Sequence, residues 1–276
     1  MLARLRALGW PLAVVVAIAA LEYGCAISPL GPSSREDVLA RLLPSAVQII
    51  LEHPEGRRFR TGSGVIIASR PTASGPSDRA ECFVLTSGHT VAGAVGQKAI
   101  YLLFGRQRGE GTKVSAVVVA HRETVDVDVA LLRAQSHDCV PAHPAGAPRL
   151  GEEIWVLAFP WGRNMVLAGG IVSQVRGNEA ADRESASHLM VDAPVSYGSS
   201  GGGVYEARGG GLIGLVEGYR TARVTSQGSE SPWYIDVPMP GQTLVTPLAE
   251  IRRFLADTGH ADLIEGMATS TSRAAR

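Results

Sequence analysis

Charge of one sign is what this sequence most plainly lacks. Its 26 Lys and Arg residues are matched by 26 Asp and Glu, so no global field draws the chain to nucleic acid or to an anionic membrane surface. Internal repeats are absent as well. Long apolar runs are missing too: the stretch from Trp10 to Leu21 falls short of the roughly 20 residues a membrane span needs. Cysteine is scarce, at three residues. His137, Cys139 and His143 lie close in sequence, but their spacing matches no standard zinc pattern. Neither a metal nor an organic cofactor is expected.

What is present begins with a targeting signal. Arg4 and Arg6 precede the Trp10–Leu21 run, which has the length of a signal-peptide core. Residues 1–25 are therefore expected to be a signal peptide or a membrane or lipid anchor. Cys25 follows Gly24 where a lipidated cysteine would stand, although Glu22 occupies a position that such a site gives to a small or apolar residue. Lipidation at Cys25, cleavage nearby and retention as an anchor all remain open. Each places the rest of the chain outside the cytoplasm, periplasmic or secreted, with a membrane tether through the N-terminus left open.

The 276 residues, with 32 Gly and 16 Pro, favour many short strands joined by turns over a helix-rich fold. Residues 26–44 read as a linker and short helix, with Ser34 as N-cap, Asp37 completing a capping box and Pro44 ending it. Six apolar or alternating runs follow: 46–51, 64–68, 82–86, 100–104, 114–120 and 129–134. After the Pro-rich stretch 141–148 come six more: 154–159, 166–175, 189–192, 203–205, 212–216 and 233–237. The pattern predicts an all-β chain of two six-stranded antiparallel barrels, over 45–140 and 141–258, with a short N-terminal and a C-terminal helix. Thr246-Pro247 would supply the N-cap and first position of the last helix, which runs to Asp257 and stops at Gly259. Residues 259–276 read as a tail, disordered after Glu265.

Three short segments carry chemistry. Gly198-Ser199-Ser200-Gly201-Gly202 offers a hydroxyl flanked by glycines, which let the backbone turn tightly and aim N–H groups at a developing oxyanion. Thr86-Ser87-Gly88-His89 ends a strand on a histidine suited to act as a general base. Asp128 opens the apolar run 129–134, where a carboxylate can fix the histidine tautomer. Asp126 competes, but the apolar strand begins directly after Asp128. Each segment alone is ambiguous; the order His89, Asp128, Ser200 is that of a hydrolytic triad. An α/β-hydrolase is disfavoured, because its histidine follows the serine and only His260 does so here.

In these segments the sequence resembles the trypsin-like serine peptidases with a chymotrypsin-like fold, closest to the HtrA/Deg branch. Gly62-Ser63-Gly64-Val65-Ile66-Ile67, Phe159-Pro160-Trp161-Gly162, Gly170-Ile171-Val172-Ser173 and Asp192 through Gly202 match that branch in order. The resemblance covers about residues 45–255. It implies a serine endopeptidase acting on unfolded or exported polypeptides through His89, Asp128 and Ser200, with the N–H groups of Gly198 and Ser200 as the oxyanion hole. Ser199 stands where the branch usually has Asn, Thr90 where a small apolar residue is common, and the PDZ domain common in that branch is not expected after the last helix. The rival reading is an inactive double barrel kept as a binding module.

Two further expectations depend on that fold. Cys82 precedes His89 and Cys139 lies beyond the Asp128 strand, so they would meet at one end of the first barrel as a disulfide; separate, partly buried thiols are the alternative. The specificity pocket would be walled by 194–197, 215–218 and 234–236, with Val195, Val216, Glu217 and Asp236 as candidate lining. Relatives line it with apolar groups and take small aliphatic side chains; a carboxylate from Glu217 or Asp236 would instead favour Lys or Arg. Both readings remain open from sequence.

Overall fold

The computed structural model describes residues 34–72, 79–94, 99–105, 111–124, 127–175, 189–226 and 233–264. The expectations on 1–25, including Cys25, the competing Asp126 and the last twelve residues of the tail lie outside them.

Helix α1 (Arg35–Leu42) is followed by a 3-10 turn over Leu43–Ser45 that contains Pro44. The first barrel comprises β1 (Ala46–Glu52), β2 (Arg58–Pro71), β3 (Ala80–Thr86), β4 (Ala99–Phe104), β5 (Thr112–Glu123) and β6 (Asp128–Ser136), with a one-turn helix α2 (Gly88–Val91) after β3. The second comprises β7 (Glu153–Ala158), β8 (Val166–Gln174), β9 (Leu189–Val191), β10 (Gly203–Glu206), β11 (Leu212–Thr225) and β12 (Tyr234–Pro247), and α3 (Leu248–Asp257) follows. Both sheets are closed and antiparallel, in the orders β1-β2-β3-β6-β5-β4 and β10-β11-β12-β9-β8-β7. The two six-stranded barrels expected from the strand pattern are thus present.

Side chains alternate across a strand, and here both faces of several strands are buried. In β6, Ala130, Leu132 and Ala134 fill the first barrel, while Val129 and Leu131 join a separate apolar cluster. In β7, Ile154, Val156 and Ala158 fill the second barrel, while Trp155 and Leu157 face that same shared cluster. The shared cluster also takes Leu248, Ile251, Phe254 and Leu255 of α3. Each such side chain contributes about 1.5–3 kcal/mol on burial, so the clusters fix how the barrels meet and hence the cleft between them. Cys82 and Cys139 are joined, with Cα atoms 5.6 Å apart, tying β3 to the segment after β6.

Two local expectations need correction. Strands β11 and β12 run well past the residues read from sequence, because their outer halves form a two-stranded ribbon with no core beneath it; residues 220–225 and 233–240 are exposed. Thr246-Pro247 does not open α3 as expected. Both belong to β12, Pro247 occupies the N-cap position in an extended conformation without a side-chain cap, and the Thr246 hydroxyl instead donates to Glu217 Oε2 at 3.1 Å.

Candidate active site

Strands β3 and β6 pair antiparallel with Thr86 opposite Ala130. The chain therefore leaves β3 beside the point where β6 begins, and this brings His89 to Asp128. Asp128 is buried and uses both carboxylate oxygens on one partner: Oδ1 accepts the His89 backbone N–H at 2.7 Å, and Oδ2 lies 2.6 Å from His89 Nδ1. Backbone and ring are fixed together, and the bond to Nδ1 leaves Nε2 for a substrate-side proton. Burial is the largest influence on His89 and disfavours its charged form. The hydrogen bond and negative charge of Asp128, with help from Glu123 and against Arg60, outweigh it, so the imidazole pKa lies above its ordinary 6.5.

Ser200 comes from the other barrel, on the tight loop between β9 and β10. Gly198 and Gly201 have φ of +88° and +82°. A Cβ at Gly198 would lie 2.8 Å from Trp161 N and 3.0 Å from Phe159 O, so that position excludes a side chain on both counts. Of the two serines, Ser199 turns inward, buried, and its Oγ accepts the Ser196 N–H at 3.3 Å. Ser200 is half-buried, and its hydroxyl donates to the Glu217 carbonyl at 3.2 Å. No hydrogen bond links Ser200 Oγ to His89 among the described residues.

The loop is held open in a specific way. The Tyr197 carbonyl accepts the Trp161 N–H at 2.7 Å. A trans peptide points its C=O and N–H in opposite directions, so this bond turns the Gly198 N–H to the other side. The N–H groups of Gly198 and Ser200 have no hydrogen-bond partner among the described residues. Trp161 pays for its position with φ of 56°, uncommon for a residue with a Cβ, and its exposed ring lies 5.4 Å from that of Tyr197.

Sequence reasoning passed over the residue that stitches the barrels together here. Ser63, buried on β2, donates its N–H to Ser200 O at 2.9 Å and its hydroxyl to Gly198 O at 2.8 Å, and that hydroxyl accepts the Phe159 N–H at 2.8 Å. Ser87 Oγ adds a bond to Val216 O at 2.9 Å. The available signal was a hydroxyl between two glycines, Gly62-Ser63-Gly64, inside an otherwise apolar strand. Nothing in the sequence announced the left-handed backbone at Trp161.

The expected pocket lining does not stay together. Val195 is partly buried against the second-barrel core. Val216 belongs to that core, because alternation along β11 turns its side chain inward; only its backbone faces the Ser200 loop. Glu217 sits beside Ser200 through its carbonyl, with its carboxylate accepting from Thr246. Asp236 is displaced altogether. It stands opposite Arg223 on the exposed ribbon, about 20 Å along the strand from Glu217 at the usual rise per residue. The Arg223 guanidinium pairs it at 2.8 and 3.0 Å and holds its carboxyl below the ordinary carboxylate range.

A model of the trypsin-like peptidase domain matches residues 62–215, more than half of the chain. Among solved structures, the serine endoprotease from Yersinia pestis superposes with a TM-score of 0.57 at 18% identity, covering 83% of this chain and 67% of that one; likeness at that identity speaks for the chymotrypsin-like fold. Among proteins of curated function none matches.

Proposed function

This chain belongs to the trypsin-like peptidase domain family, and from that premise we propose that it is a serine endopeptidase with His89, Asp128 and Ser200 as its triad. The observation that carries the proposal is the double engagement of His89 by one buried carboxylate, at 2.7 and 2.6 Å, on the wall facing a loop with two unengaged N–H groups. In this reading Ser200 Oγ swings from Glu217 O toward His89 Nε2. It attacks the scissile carbonyl carbon as its proton passes to the imidazole, and Asp128 balances the imidazolium. The oxyanion takes the N–H groups of Gly198 and Ser200. His89 then protonates the leaving amine, and a water deprotonated by His89 hydrolyses the ester to regenerate Ser200.

Polypeptides are the substrate class that membership implies, and unfolded or exported chains are the proposed subset. Location outside the cytoplasm is part of the proposal, supported by the basic and apolar N-terminal pattern and by a disulfide between Cys82 and Cys139. A primary preference for small aliphatic residues fits better than one for Lys or Arg, since Asp236 is spent on Arg223. One observation favours the inactive rival: the Ser200 hydroxyl bonds to a carbonyl and not to the imidazole.

Labelling with a fluorophosphonate probe and casein hydrolysis decide between them. Wild type and Ser199→Ala are expected to label and cleave, and Ser200→Ala to do neither. A wild-type chain that never labels, or a Ser200→Ala chain that still cleaves, would overturn the proposal.

A further inference from the structure

Beyond Gly218 the hairpin of β11 and β12 leaves the second barrel as a ribbon. Its cross-strand pairs sort into two faces. Ala222 opposite Val237 and Val224 opposite Ile235 share one face. Val224, Ile235 and Val237 are 49%, 53% and 42% exposed, so this apolar face meets water. Arg223 opposite Asp236 and Thr225 opposite Tyr234 share the other, braced by the ion pair and by Arg223 lying 4.2 Å from the Tyr234 ring centroid. A two-stranded ribbon with one uncovered apolar face is marginal in water, and a third strand is what such a ribbon lacks.

The two outer edges of the ribbon differ. That of β12 carries Pro238 and Pro240, and prolines blunt an edge by removing donors. That of β11, Arg220 to Thr225, contains no proline, and among the described residues no strand pairs with it. It is also the edge that passes the reactive serine. Val216 exchanges bonds with the Ser200 loop, taking the Gly201 N–H at 2.7 Å and giving its own to Gly202 O at 2.8 Å. Glu217 O then receives the Ser200 hydroxyl, and from Gly218 the same edge runs on open. Register shifts between Val216 and Gly218 and between Tyr219 and Thr221 bend the ribbon as it leaves.

We infer that the outer edge of β11 from Arg220 to Thr225 docks an extended, unfolded polypeptide as a third strand, with an apolar side chain at alternate positions. The inference rests on the peptidase reading for its occupant: a chain presented to Ser200 continues on one side directly onto this edge. Backbone pairing supplies attraction without demanding a sequence, and alternate apolar side chains extend the face of Ala222, Val224, Ile235 and Val237. A second copy or a bilayer would cover the apolar face, but neither has a use for an edge that starts at the serine.

The test uses the full chain carrying Ser200→Ala, so that binding is read without cleavage. Its probe is fluorescein-labelled, reduced and carboxymethylated lactalbumin, followed by anisotropy. Adding Val224→Asp with Val237→Asp is expected to weaken binding at least tenfold. Replacing residues 220–239 by an Asn-Gly turn is expected to do the same, and Val117→Asp, at an exposed valine of β5, to leave it unchanged. Undiminished binding in both ribbon variants, or no binding by the parent, overturns the inference. So does an unchanged affinity accompanied by a change in sedimenting mass or in co-sedimentation with anionic vesicles, which would assign the ribbon to a second copy or to a bilayer. Fluorophosphonate labelling of the chain with Ser200 intact reports separately on the nucleophile, so failure of the peptidase reading and failure of the docking edge have different signatures.

Discussion

The first barrel presents His89 and Asp128 from the adjoining ends of two paired strands, whereas the second presents Ser200 from a loop. The difference shows in what holds each. His89 and Asp128 are set by the β3–β6 register and by two bonds between the residues themselves. The Ser200 loop is held from outside: Ser63 of the first barrel takes up the carbonyls of Ser200 and Gly198, and Trp161 takes that of Tyr197. The His89–Asp128 pair is organised locally, whereas the Ser200 loop also depends on Ser63 across the seam between barrels, beside Trp161 and Val216 of its own barrel. Damage to the seam should therefore reach Ser200 while sparing the His89–Asp128 pair.

The largest effect is expected from Asp128→Asn. A carboxamide cannot accept from both the His89 backbone N–H and Nδ1–H, so the imidazole loses its tautomer. The rate of peptide hydrolysis should fall on the order of ten-thousand-fold, with the folded state retained by circular dichroism. A fall of less than tenfold would break the comparison at its local half, because the pair would then not be the working base.

Ser63→Ala sharpens the other half. It removes the donor to Gly198 O and leaves the buried Phe159 N–H without its acceptor. Denaturant unfolding should show a loss of about 1–3 kcal/mol, and fluorophosphonate labelling should slow on the order of a hundredfold through misplacement of the loop. The pH at which the histidine titrates should stay where it is. If labelling keeps its rate, the seam does not position Ser200.

That asymmetry also separates what could be read in the sequence from what could not. The alternating runs gave all twelve strands, because burial on one or both faces leaves an apolar signature in the chain. The proposed triad of His89, Asp128 and Ser200 was read from three short local patterns, of which the structure joins His89 to Asp128 by two hydrogen bonds. Trp161 acts through its backbone N–H, which no residue type advertises, and the Ser63 hydroxyl meets the Gly198 carbonyl and the Phe159 N–H only once the tertiary fold brings them near. Val216 and Asp236 are not brought together beside Ser200 for a related reason. Alternation says that two residues share a face, but not which face, nor that the strands would outrun the core beneath them.

A moderate effect is expected on the pH profile. The His89 pKa is raised in the folded chain, so the acid limb of kcat/KM should lie above pH 6.5, where the base becomes neutral. The stability contributed by the charged pair has the opposite course. It is fully present below the unfolded value near 6.5 and is lost as pH rises through the higher folded value. Arg60 disfavours the charged imidazole and Glu123 favours it, so Arg60→Gln should move the limb up and Glu123→Gln should move it down. Shifts of the same sign in both variants would mean that the limb belongs to another group.

The smallest effect is expected at the far end of the second barrel. Asp236 is exposed and paired with Arg223 by two hydrogen bonds, and its side chain lies on the polar face of the ribbon, opposite to Val224 and Ile235. Among the described residues its hydrogen bonds go to Arg223, six positions along β11 from Glu217. Asp236→Ala should therefore leave the residue preference before the scissile bond unchanged when cleavage sites are profiled in a denatured protein digest. Its only expected trace is at the ribbon itself, where Arg223 loses its brace and the Tyr234 signals in an NMR spectrum should shift. Were the variant to lose a preference for Lys or Arg, the carboxylate would have to reach the substrate from the ribbon, and the separation drawn between the organised seam and the free hairpin would fail.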